Sequence, residues 1–278
     1  MFRSLLLAAV LVCPAMANTE EPSIEQALQH LYNFDFGGTH QALDRYIEAH
    51  PQDPLPYAFR ASAYLFSELD RMQVLEAEFL TDDEKLVEKK KKIEPDPTNR
   101  AQFLQAINDA TKRAEVILRE NPNDKTALFA LCITGGVSTD YMALVEKKQI
   151  SSLGAAKRSN SYAQQLLKID PKFYDAYLTA GFSDYMVGSL PFFIRWFVHF
   201  DNVSGSKERG LKNLQLTASD GHYFKAFAKI LIAIISLREK KPQVSQKLLA
   251  ELSHDYPGNP LFRKELVKLS NKMGMAAN

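Results

Sequence analysis

The sequence alone predicts an all-α fold of helical hairpins stacked one on the next, and three observations lead there. Four prolines close similar helical segments, at His50-Pro51, Asn121-Pro122, Asp170-Pro171 and Tyr256-Pro257. Proline has no N–H for the helical ladder, so each marks a helix stop. Twelve residues before each stands a small residue (Thr39, Ala110, Ser159, Ser245), and five before each a bulky one (Tyr46, Ile117, Leu166, Leu252). The small position lets a neighbouring helix approach and the bulky one fills the space beside it. Lastly, no stretch alternates apolar and polar residues for more than a few positions, so strands are not expected.

The chain opens on a leader. Arg3, the apolar run Leu5–Val12 and the small-x-small Ala15-Met16-Ala17 follow the order of an export signal cut after Ala17. Residues 18–278 are then one helical-repeat domain, periplasmic or secreted. Val12 is β-branched where a lipobox before Cys13 needs a small residue, which disfavours a lipid anchor. With Cys13 removed, Cys132 is the remaining cysteine, so no intramolecular disulfide is expected. Its apolar neighbours Leu131 and Ile133 make it a core thiol rather than a nucleophile. At 46% apolar and 24% charged the composition is that of a globular chain. A formal charge of +1 argues against phosphate-driven binding, so nucleic acid is not an expected partner.

Helix starts agree with the stops. Ser23-x-x-Gln26 and Thr81-x-x-Glu84 are capping boxes, and Asp53-Pro54, Asp96-Pro97 and Asn259-Pro260 pair an N-cap with a first-turn proline. After the closing prolines come Tyr57, Ala61 and Tyr64, then Leu128, Cys132 and Gly135, then Tyr177, Gly181 and Tyr185, each set on one helical stripe. Gly181 is expected where two helices touch, with room for no more than about a methyl group.

Unequal intervals between the prolines leave two inserts. The first, about 66–100, carries a charged run from Asp82 to Lys92 that reads as a solvated helix face, acids leading and lysines following. The second, about 186–211, packs Phe192, Phe193, Trp196, Phe197 and Phe200 around Arg195 and His199. Two readings of it stay open: a short element that plugs the array, or an amphipathic one that touches a membrane surface or an apolar ligand. Phe224–Leu237 is apolar on most faces and shorter than the roughly 20 residues of a membrane span, so it reads as a helix buried within the array. Pro260–Met273 is expected to cap the C-terminal end.

This spacing resembles the tetratricopeptide repeat (TPR), a helix–turn–helix unit of about 34 residues, over most of residues 23–270. Tyr174–Glu265 is further similar to the C-terminal part of exported bacterial TPR proteins whose relatives include the eukaryotic inclusion-body clearance proteins. The shared stretches are Asp175-Ala176-Tyr177, Val187–Pro191, Gly205–Leu211 and Leu237–Lys240. The resemblance implies a right-handed α-α superhelix, a TPR-like solenoid with irregular helical inserts, whose concave groove is lined by the first helix of each repeat. The matching positions are Leu55, Ala58, Ser62 and Leu65, then Thr126, Phe129, Ile133 and Gly136, then Asp175, Leu178, Phe182 and Tyr185. Chaperone-docking members of the family carry lysine, arginine and asparagine there to hold a peptide carboxylate. None occurs here, so the expected groove is apolar, either filled by Phe192–Phe200 or open to a hydrophobic peptide or lipid.

No catalytic signature competes. The histidines form no H-E-x-x-H or metal-spaced cluster, and there is no G-x-S-x-G, P-loop or dinucleotide fingerprint. His30, His40 and His50 recur at an interval that does not put them on one helix face. Ser204-Gly205-Ser206-Lys207 matches S-x-x-K but lacks its companion motifs, and reads as a loop and helix cap. The expectation is an exported, non-catalytic scaffold for an unidentified protein or peptide, without metal or cofactor. The alternatives are a structural component of the cell envelope and a binder of lipid or another apolar ligand.

Overall fold

A computed structural model describes residues 21–76, 94–190 and 205–276 of the chain, with no strand among them. The helices are α1 (Ile24–Tyr32), α2 (Phe36–Ala49), α3 (Leu55–Arg71), α4 (Pro97–Glu120), α5 (Lys125–Asp140), α6 (Gln149–Ile169), α7 (Ala176–Ser189), α8 (Lys207–Asp220), α9 (Lys225–Arg238), α10 (Pro242–Asp255) and α11 (Pro260–Ala276). A π-helical turn, Tyr141–Val145, extends α5. The leader, the Thr81 capping box, the charged run 82–92 and the aromatic run 192–200 lie outside the described residues.

The helices stop where the prolines say they should. His50, Asn121, Asp170 and Tyr256 are the C-caps of α2, α4, α6 and α10. In each case the cap N–H donates to the carbonyl of the bulky residue in the repeated pattern: Tyr46 at 2.9 Å, Ile117 at 2.8 Å, Leu166 at 2.8 Å and Leu252 at 2.9 Å. The small residues are all buried. Ser159 abuts Gly135, and its Oγ donates to the Cys132 carbonyl at 2.7 Å across the α5–α6 contact. Two closing prolines share one more feature: Tyr57 Oη donates to the Pro51 carbonyl at 3.3 Å, and Tyr177 Oη to that of Pro171 at 3.2 Å.

Side-chain caps hold the starts. Ser23, Asp35, Asp96, Asp124 and Ser206 each accept from a backbone N–H in the first turn of the helix that follows. Asp53 and Asn259 do the same for Leu55 and Leu261, beside Pro54 and Pro260. Ser206 is thus a helix cap, as its loop setting implied.

Each helix packs on its successor, α3 also on α5. Lys125–Val145 is long and apolar enough to cross a membrane by length and composition, yet it sits inside the bundle against α3, α4 and α6. The main core runs through Leu28, Leu43, Phe59, Phe129, Leu166, Ala226, Leu252 and Phe262, joining the first helices to the last. That junction is closed by specific bonds. Asn259 Nδ2 donates to the Tyr32 carbonyl at 2.9 Å, Gly258 N–H to Asn33 Oδ1 at 2.8 Å, and Tyr32 packs on Tyr256 at 5.2 Å. Lys264 and Lys268 of α11 both reach Glu76, just beyond α3. The two ends of the described array therefore meet.

Gly181 corrects one expectation. A Cβ there would lie 2.8 Å from the Gly210 carbonyl oxygen and 2.8 Å from Asn213 Cβ on α8, so not even a methyl group fits.

Candidate functional site

The candidate groove positions do come together, on the inward faces of α3, α5 and α7, and they are covered. Leu55, Ala58, Ser62, Leu65, Phe129, Ile133, Asp175, Leu178 and Tyr185 are buried and Phe182 is half-buried, whereas Thr126 is exposed. The main covering element is α9 with the turn before it, while Leu65 packs with Phe103 and Tyr141. Phe59 of α3 packs on Tyr223 and Phe224 at 5.5 and 5.8 Å, and Phe129 of α5 on the same two rings at 5.8 and 5.6 Å. Phe66 meets Phe227 edge-on at 5.6 Å. Leu178, Phe182 and Tyr185 of α7 pack with Ala228, Ile232 and Ile235. The apolar character read from the sequence is thus spent within the chain. Phe192, Phe193, Trp196 and Phe197 lie outside the described residues.

Asp175 holds the cover in place. Its Oδ2 accepts from the His222 N–H at 3.0 Å, and Oδ1 from Tyr223 and Phe224 N–H at 3.0 and 2.8 Å. The helix they open, α9, has no side-chain cap of its own. One carboxylate thus satisfies three consecutive amides of the turn that leads into α9. Burial pushes the Asp175 carboxyl above its ordinary range, and the three amides pull it partly back. Gly221 makes the approach feasible, because a Cβ there would meet the Thr217 carbonyl at 2.5 Å and Asp175 Oδ1 at 3.0 Å. His222 then turns its ring outward, Nε2 lying 2.6 Å from Glu25 of α1.

Two clefts stay open at the surface. One, of about 250 Å³, lies between the end of α3 and α11 and is lined by Asp70, Gln73, Glu76 and Lys264. The other, of about 140 Å³, lies between α3 and α4 beside Tyr57, Arg60, Tyr64 and Gln105. Both are polar. Elsewhere Glu68, almost wholly buried, takes two bonds from Arg71 and one from the Asp96 N–H, tying the end of α3 to the start of α4. Arg209 grips Asp184 at 2.6 Å through two nitrogens, fastening α8 to α7.

Reactive groups are not gathered. Cys132 is buried with Sγ 3.3 Å from Thr179 Oγ1, and burial pushes its thiol up, away from the thiolate. His30 faces Asp35, His40 packs on Tyr64 and His50 on Tyr46, so the three share no site. Among the described residues no group of three His, Cys, Asp or Glu is placed to hold a metal. Compared with family models, curated proteins and solved structures, the chain matches none.

In the sequence Asp175 reads as a groove-lining position, and its part as the acceptor for the turn before α9 is not foreseen. A signal for it was present: Asp220-Gly221-His222-Tyr223-Phe224 leads into an apolar helix with no Ser, Thr, Asp or Asn at its cap. A helix start that lacks a local acceptor must borrow one from elsewhere.

Proposed function

We propose that the chain is an exported, non-catalytic TPR-like scaffold, a right-handed α-α superhelix that meets its protein partner on outward surfaces and not on its inner face. The observation that carries this reading is the filled interior: most of the positions that line a ligand groove in the resembled family are buried here, largely under residues 223–238 of the same chain. The repeat assignment is supported by the four proline-closed helices and their matched small and bulky positions. Export is supported by the leader alone, whose cleavage after Ala17 leaves Asn18 as the first residue; N-terminal sequencing of protein from its native host checks this, and Met1 retained there contradicts it.

The functional test is site-resolved crosslinking in native envelope extract. A photoreactive residue in place of Leu104 or Val116, both exposed on α4, is expected to capture a partner. One in place of Ala58 or Phe129, in a variant that still folds, is expected to capture none. Capture from the inner positions alone would overturn the reading. A multi-subunit envelope assembly recovered from the outer positions would make the chain one of its structural components.

A further inference from the structure

We propose that the end of the molecule formed by the start of α6 and the end of α7 docks on an anionic lipid surface. Cys132 Sγ touches both Ser159 of α6 and Thr179 of α7, which sets these two residues at one level. The helices are consecutive and joined by a short connection, so they run antiparallel. Seven residues from that level, in opposite chain directions, stand Ser152 and Met186, both about 10 Å along the axis by helical rise. Leu153 and Met186, with Ile150 one turn further, therefore crown the same end.

These side chains are not covered. Ile150 is 87% exposed, and Leu153 and Met186 are 42% exposed each. A single exposed aliphatic residue requires no explanation, but here three share one end and one is almost fully in water. They also stand in a patterned setting. Ile150, Leu153, Gly154, Lys157 and Arg158 recur at helical spacing and are all exposed, while Ser152, Ala155 and Ser159 on the other side of α6 are buried. The outward stripe of α6 is thus aliphatic at its tip and cationic one to two turns behind.

Cations outnumber acids around the tip. Lys147 and Lys148 lead into α6, and Lys148 is 56% exposed. The nearby Glu146 is already engaged by Arg100 at 2.7 Å and Lys148 at 2.9 Å. On the neighbouring elements, Asp184 is matched by Arg209 and Lys207 by Glu239, so these offset one another. Aliphatic side chains that project from a convex helix end, with lysine and arginine behind them, suit an interface where the former enter the acyl boundary and the latter meet lipid phosphates. A concave partner surface has no comparable need for the cationic row.

The test is vesicle sedimentation of the mature chain, with mixed phosphatidylglycerol–phosphatidylcholine vesicles set against phosphatidylcholine alone, at low and high salt. The parent protein is expected to bind the anionic vesicles and to be released by salt. Ile150→Ser with Leu153→Ser, and separately Lys148→Glu with Arg158→Glu, should each weaken binding by about tenfold or more. Circular dichroism and the thermal midpoint should stay at parent values, since these side chains are exposed. A parent that ignores anionic vesicles overturns the proposal. So does binding that both variants retain in full, which would place the lipid contact elsewhere in the chain, or binding that is indifferent to lipid charge and salt.

Discussion

Gly181 leaves no space for one added carbon between α7 and α8. Since the atoms facing it include the Gly210 carbonyl and the Leu214 N–H, backbone must move to admit a side chain. Gly181→Ala is expected to destabilise by about 1–3 kcal/mol and Gly181→Leu by more, read as urea midpoints. An unchanged midpoint for the alanine variant would rule out the contact. The position was legible in the sequence, because a small residue recurs there on the first-helix stripe; the severity was not, because it depends on Gly210, whose place opposite is fixed by the hairpin. Asp140 presents the opposite case, a residue that works against stability. Burial alone pushes its carboxyl up to about 7. With the folded value above the unfolded one, the folded chain holds the proton longer, so this group's stability contribution is full below about pH 4 and falls away as pH rises toward 7. Asp140→Asn should accordingly stabilise the protein at neutral pH by at least about 1 kcal/mol and flatten the pH dependence between those limits. Thermal melts across that window check it, and a variant less stable than the parent at neutral pH refutes it.

At the scale of elements, α9 decides what the molecule offers to others. Its apolar faces meet α3, α5 and α7 together, so charges placed on the α7 side cannot stay solvated when the helix is docked. Phe182→Asp with Tyr185→Asp should unfold the protein instead of emptying a groove, seen as loss of helical circular dichroism. A folded, soluble double variant would mean that α9 can lift away. Asp175→Ala removes the shared acceptor of three partly buried amides and should cost about 1–3 kcal/mol, with faster hydrogen exchange at His222, Tyr223 and Phe224. Helix boundaries were readable beforehand because the signals are local: a proline after the C-cap, and an acid or serine before the first turn. The cover was not, because Tyr223 meets Phe59 and Phe129 across long stretches of chain, and nothing in periodicity says which face a buried helix will turn toward which neighbour. The nearest clue, an apolar helix without a local cap, points to a missing acceptor without naming Asp175.

Across the whole molecule, the meeting of its two ends changes how stability should be distributed. In an open repeat array each unit contacts only its neighbours, and the terminal units open first. Here α1 is held by the Gly258-Asn259 turn and by His222, and α11 is tied back to Glu76, so a terminal helix cannot open without losing contacts from the far end of the sequence. Native-state hydrogen exchange should therefore find the amides of α1 protected nearly as well as those of α5. Asn259→Ala would break the bond to the Tyr32 carbonyl, leaving a buried acceptor unpaired at a cost of about 1–2 kcal/mol. If the closure is what protects α1, this substitution should speed exchange in α1 and α11 well beyond any effect in α5. Fast exchange of α1 in the parent protein would show that the ends fray independently, and the array would then behave as an open one in solution.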